Sequence, residues 1–312
     1  MNLVKRTFNF MVGGKKSNST FLHYHNSAFA LFLAKISTLR IGIILYLYDK
    51  VFLGKYLRNL ELEKGSKSHL DALVVANGPS CNRINFEFVK EAQSKGEVEI
   101  FGINNSKLLD DESIIKLDYL LLSDPLDAPK EENRERLSNL ENSNSCTRLL
   151  TPLGWHKYNF FKKCKVDECL HFVDSGRNQF SKSTNPLKMR NYPPMGIFKL
   201  LAITKFFGYR HVYIIGLDLT FFRSVRLGDN KAILQDPNYF SADYGVTTND
   251  SHLFPDGMSD YFHFISQNFS ALRLYFNDSR FINLDKTTLV DVFKVIDSDS
   301  DVALWVREEP KP

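Results

Sequence analysis

Four polar clusters, each following a run of β-branched or leucine-rich residues, hold the groups that can do chemistry: Asn77-Gly78-Pro79-Ser80, Asn104-Asn105, Ser123-Asp124-Pro125 and Gly216-Leu217-Asp218. Ligands of open α/β sheets bind outside the carboxyl ends of the strands, so residues at those ends are the first candidates for contact. In the first cluster Gly78, beside Pro79, lets backbone approach a ligand closely, and the Ser80 hydroxyl with the amides after it can donate to a phosphate. Asn104 offers both a donor and an acceptor to a base or sugar. No GxGxxG or GxxxxGK[ST] run is present, which argues against dinucleotide and P-loop nucleotide sites.

A second group lies in 222–258, a stretch dense in Gly, Asp, Asn and Tyr that reads as a long functional loop or lid. An imidazole ordinarily titrates near neutrality, so His252 suits a general base, with Asp250 or Asp256 to orient or replace it; a structural histidine is the alternative. Tyr239 and Tyr244 can reach a phosphate from the lid, or simply pack. Cys164, Cys169 and His171 tempt a zinc reading, but no second ligand pair follows at finger spacing, so these read as buried or idle thiols and no metal site is assigned.

Positioning such residues requires strands that alternate with helices. The runs 71–76, 98–104, 118–123, 211–216 and 280–284 read as strands, and 86–94, 196–207 and 259–276 as helices, the second closed by Gly208. The pattern predicts an α/β fold: a Rossmann-like, mostly parallel sheet with helices on both faces. One catalytic domain over 69–296 follows, with a basic helical extension over 1–68 and a loose tail over 297–312. The segment 127–146 reads as a surface excursion.

At these residues the chain resembles the bacterial lipooligosaccharide sialyltransferases of the Campylobacter and Haemophilus type. The resemblance runs over about 70–285, through strand–Asn-Gly-Pro-Ser, strand–Asn104, strand–Asp124-Pro125, the block from Gly196 to Asp218 and the later Asn249-Asp250-Ser251-His252; the helix–Gly-Tyr–strand–Gly-Leu-Asp block is its most specific part. It implies a GT-A-like variant of the Rossmann-like fold without a metal-binding DxD, a CMP-sugar as donor, no cofactor, and transfer with inversion. It further implies that Asn77, Gly78, Ser80 and Asn104 line the CMP site, with Asp124 where the family has an Asn. Three departures stand out. Pro194-Met195-Gly196 replaces the family's Ser/Thr-Ser-Gly, Thr220 replaces a Tyr, and Asp256 stands where the family keeps its catalytic His. The donor sugar therefore extends from sialic acid to Kdo or a related nonulosonic acid. A second reading is a protein like the hydroxymethylpterin diphosphokinases or flagellin-modification proteins, which share the Gly-Pro-Ser turn; a diphosphokinase needs clustered carboxylates for Mg²⁺, and the Asp residues here are scattered. A third is a non-catalytic membrane-surface scaffold with a vestigial pocket.

Charge distribution bounds the partners. Among 312 residues the net charge is +4, yet residues 1–67 carry eleven Lys/Arg against three Asp/Glu, leaving the body mildly acidic. That asymmetry argues against a nucleic-acid groove over the whole protein and for an anionic partner near the N-terminus. Residues 29–53 are rich in Phe, Leu, Ile and Tyr, but their longest uncharged run, Ile41–Tyr48, is far short of the ~20 residues that span a bilayer. Basic and apolar side chains in that mixture suit a helix lying in an anionic membrane surface; packing on the domain or on a second subunit, as in a homo-oligomer, is the alternative. The expected partners are thus a CMP-activated sugar, a glycan or glycolipid acceptor and an anionic membrane surface. The expected location is cytoplasmic, at the inner face of the membrane.

Overall fold

Asp-Ala-Leu-Val-Val forms β1 (Asp71–Val75), buried along its whole length. An unbroken apolar run of this kind encodes a strand covered on both faces. The computed structural model describes residues 28–104, 116–123, 146–157, 169–174, 182–193, 195–219, 225–227, 233–235, 247–249, 258–297 and 299–307. Within them β1 sits inside an eight-stranded sheet with β2 (Val98–Ile103), β3 (Leu117–Leu121), β4 (Cys146–Pro152), β5 (Cys169–Phe172), β6 (Val212–Ile215), β10 (Phe281–Asn283) and β11 (Lys294–Val295). The order is β11-β10-β6-β1-β2-β3-β4-β5, and each pairing is parallel. A separate antiparallel sheet joins β7 (Val225–Leu227), β8 (Ile233–Gln235) and β9 (Thr247–Asn249), so the segment read as one long loop contains a three-stranded unit.

Alternation along β1 divides the core. Ala72 and Val74 face one layer, with α4 (Gly196–Phe207), α5 (Met258–Phe276) and α2 (Arg58–Leu62). Leu73 and Val75 face the other, with α3 (Phe86–Ser94) and Trp305. Helices thus cover both faces, as the sequence predicts. α4 is apolar nearly all round because it lies between the sheet and α5, and it stops at Gly208 in the left-handed region, φ 85°.

The ends of the chain depart from expectation. The 26-residue α1 (Ala28–Leu53) belongs to the predicted extension, but Leu53, Leu57 and Leu60 are buried in the α4 layer. The backbone N–H groups of Gly65 and Lys67 donate to Phe206 O (3.0 Å) and Phe207 O (3.1 Å). Lys67 pairs with Glu99 on β2 at 2.7 Å, and Arg148 on β4 with Glu63. The second half of the extension is therefore part of the domain, and the boundary at 68 cuts through its core. The tail, read as loose from its Asp, Ser and Pro content, packs over 299–307. Trp305 lies edge-on to Tyr213, its carbonyl accepts from Asn85 N–H at 2.7 Å, and Val306 bridges Ile84.

Just before β10, the Asp278 carboxylate accepts Arg280 N–H at 3.2 Å, Arg280 Nε at 3.0 Å and Nη2 at 2.8 Å, with Lys205 Nζ 3.3 Å away. The Arg280 hydrogen bonds overcome burial and hold the carboxyl well below the usual carboxylate range. Its stabilising contribution is therefore present above the unfolded value near ~3.9 and is lost as the pH falls toward the folded value. Asp278→Asn is expected to cost about 1–2 kcal/mol at neutral pH. The penalty should shrink in acid, which melting temperatures of both proteins between about pH 7 and pH 3 would read out.

Candidate functional site

Strand order reverses between β1, which continues to β2 and β3, and β6, which returns on its other side. The carboxyl ends of those two strands flank the switch point where open α/β sheets take ligands. Two of the four sequence clusters meet there. Gly78 N–H donates to Gly216 O at 2.8 Å, Ser80 N–H donates to Asp218 Oδ2 at 2.9 Å, and the Ser80 hydroxyl donates to Asp218 Oδ1 while accepting Gly216 N–H at 2.9 Å. The turns 77–80 and 216–218 are stitched together, so the Ser80 hydroxyl that the sequence aims at a phosphate is engaged within the protein, and the next amide, Cys81 N–H, donates to Gly78 O at 3.1 Å. Ser80 and Asp218 shape the site from beneath.

This closeness explains the glycines. A Cβ on Gly78 would stand 2.5 Å from Gly216 O and 2.6 Å from Asp218 Oδ2. Gly216 has φ 78°, and a Cβ there would lie 2.7 Å from Ala76 C and closer still to Ala76 O.

A group the sequence did not single out lies directly beyond. Asp285, 2% exposed and two residues past β10, receives Thr287 N–H and Oγ1–H at 2.8 Å each and the Arg83 guanidinium, and also contacts Asp218. Burial raises the Asp218 carboxyl, and neighbouring Asp285 adds to the rise against the Ser80 hydrogen bonds. Burial acts on Asp285 too, but Thr287 and Arg83 outweigh it and hold that carboxyl low. One carboxyl of the pair thus keeps its proton more readily and the other its charge. Arg83 and Asp285 lie 202 positions apart. No local spacing announces such a pair.

Two polar side chains with unfilled hydrogen-bonding capacity among the described residues lie on the β2 side. Asn77 Nδ2 donates to Ile103 O at 3.3 Å, while Asn77 Oδ1 is buried with no hydrogen-bond partner among the described residues. Asn104 adopts the left-handed region, φ 48°, which Asn tolerates better than most residues. Its N–H donates to Leu121 O at 2.7 Å and its Oδ1 accepts Ser123 N–H at 3.1 Å, so among the described residues its Nδ2 amide keeps its donors for a ligand. Gly196, the first residue of α4, fits against these strand ends: a Cβ there would be 2.9 Å from Ile103 Cδ1 and 3.2 Å from Ser123 Oγ. An acceptor and an amide without partners among the described residues, and the N-terminus of α4, therefore lie near the carboxyl ends of β1, β2 and β3.

No family model matches the chain, and no curated protein matches it. Among solved structures, it is similar to a MAf glycosyltransferase from Magnetospirillum magneticum AMB-1, at 12% identity and a TM-score of 0.47, over 86% of this chain and 42% of that one. The chain spans less than half the length of that protein.

Of the predicted site residues, the structure brings Asn77, Gly78, Pro79, Ser80, Asn104, Gly196 and Asp218 together at one edge of the sheet. Asp124, Thr220, Tyr239, Tyr244, Asp250, His252 and Asp256 lie outside the described residues. Of the cysteine group, Cys169 is buried in the α3 layer, and His171 Nδ1 shares a 2.9 Å hydrogen bond with Thr151 Oγ1. A further cluster that the sequence reading missed anchors α4. Asp174, just past β5, pairs with Arg190 and, at 2.7 Å, with Lys199, whose side chain is 4% exposed. The visible signal was a lysine inside the apolar run Gly-Ile-Phe-Lys-Leu-Leu-Ala. Tyr192 beside it has its hydroxyl pushed up, first by burial and then by Asp174.

Proposed function

We propose that this protein is an inverting glycosyltransferase that moves an acidic sugar from a CMP-sugar to a glycan or glycolipid acceptor at the cell surface. The observation that carries the reading is the buried Asn77 Oδ1 and the nearby Asn104 amide at the switch-point edge, both without a partner among the described residues. A buried acceptor without a partner is costly unless something fills it, and an acceptor next to a donor matches a sugar hydroxyl or the edge of a base. The cytidine nucleotide, the acidic sugar and metal independence rest on the resemblance described for residues 70–285.

In this reading the nucleotide lies over Asn77 and Asn104, with the phosphate toward the first turn of α4, where backbone N–H groups without helical partners attract an anion. Inversion requires a base on the acceptor side. His252, oriented by Asp250 or Asp256, takes the proton of the acceptor hydroxyl as its oxygen bonds to the anomeric carbon. The bond from that carbon to the phosphate breaks, and its electrons leave with CMP. Tyr239 and Tyr244 supply hydrogen bonds to the leaving phosphate from the lid.

CMP and CDP are expected to raise the melting temperature more than UMP or GMP. At ~100 times the dissociation constant the ligand stabilises by about 2.7 kcal/mol. Asn77→Ala should remove most of that difference. Equal shifts for all four nucleotides would remove the cytidine assignment.

A further inference from the structure

Helix α1 carries two faces of different use. At 3.6 residues per turn, Leu39, Gly42, Tyr46 and Leu53 fall in one stripe, and these are the buried or half-buried positions among the α1 residues described. That stripe docks on the domain beside the turn Leu153–Lys157, at the carboxyl end of β4 and so at the same edge of the sheet as the 77–80 turn. The opposite side is also apolar. Ile41, Ile44, Leu47, Val51 and Phe52 point outward, Val51 at 73% and Phe52 at 64% exposure. A helix that satisfies its core with one stripe has no folding reason to keep a second.

Charge identifies the occupant. Arg40 and Lys50 are exposed on α1, with Lys55 and Arg58 following at its end. Lys50 Nζ lies 6.0 Å from the Tyr46 ring centre and Lys55 Nζ 5.0 Å from that of Tyr56. Two copies meeting through this face would bring like charges together, whereas anionic headgroups complement them. Arg40 has an aliphatic stem long enough to stay among apolar neighbours while its guanidinium reaches the headgroups. No helix among the described residues is long and apolar enough to cross a membrane. We infer that the outward face of α1 lies in the plane of an anionic lipid surface and holds the carboxyl edge of the sheet beside that surface. The inference stands on the helix alone and does not depend on the donor.

Flotation of the full chain with vesicles of phosphatidylcholine, with and without phosphatidylglycerol, tests it. Binding should be at least about tenfold tighter with the anionic lipid and should weaken as salt is raised. Leu47→Glu/Val51→Glu should abolish flotation at an unchanged melting temperature, because both side chains face outward. Arg40→Glu, at an exposed position, should weaken binding severalfold and carries the test if the double variant melts early. Equal binding to both vesicle types, or none, would overturn the inference. So would a solution dimer that the double variant splits, which would assign the face to a second copy.

Discussion

Gly216→Ala is expected to be among the most damaging single substitutions in the protein, costing at least about 3 kcal/mol. Two penalties coincide at that position. The residue sits at φ 78°, where a side chain is strained, and the new methyl would overlap the backbone of Ala76 at the end of β1. No flexible side chain can yield there, since the obstructing atoms are main chain. Relief would require β1 and β6 to separate, which would break the hydrogen bonds from Gly78 to Gly216 and from Ser80 to Asp218. Gly78→Ala meets Gly216 O and the Asp218 carboxylate from the other side, but without a left-handed backbone. It should therefore cost less, while disturbing the nucleotide turn more selectively. Denaturant unfolding of the three proteins, with CMP binding measured on those that fold, separates the effects. An unchanged midpoint for Gly216→Ala would mean that the two strand ends are not held as close as the structure has them.

His252→Ala is expected to lower turnover by about 10²–10⁴-fold, with CMP binding and melting temperature nearly unchanged. The proposal gives His252 the acceptor proton, so its loss should act on kcat while the nucleotide site on β1 and β2 stays intact. Asp256→Asn is the comparison, because that position holds the histidine in the family the chain resembles. A larger loss in Asp256→Asn would move the base to the carboxylate. Loss of folding in His252→Ala would make that histidine structural, and full activity in both variants would remove His252 and Asp256 from the role of base.

The central part of the fold was legible because its elements are locally consistent. The runs that became β1, β2, β3 and β6 are short, apolar and bounded by polar turns, and α4 carries its stop signal in Gly208. β4 and β5 were not predicted. Cys-Thr-Arg-Leu-Leu-Thr-Pro mixes a charge and a proline into a strand whose Arg148 is held by Glu63 from the N-terminal segment, and Cys-Leu-His-Phe is four residues long. Only tertiary partners make strands of them. The site divides the same way. Asn77, Gly78 and Asn104 follow from their places at strand ends. The inward engagement of Ser80 and the Asp218–Asp285–Arg83 group do not, because they depend on which loops the sheet order brings face to face.

That order also has a temporal side. β1 leaves the ribosome with β2 and β3 close behind it, but its other neighbour, β6, is encoded about 140 residues later. At roughly 5–20 residues per second, about 7–28 seconds pass before Gly216 can reach Gly78. Throughout that interval one flank of β1 has no strand beside it, and the turn at 77–80 lacks Asp218 to hold it. A nascent chain in this condition is a natural client for holding chaperones. A stall in translation before residue 219 should leave a product with several strands in place and no competent nucleotide turn.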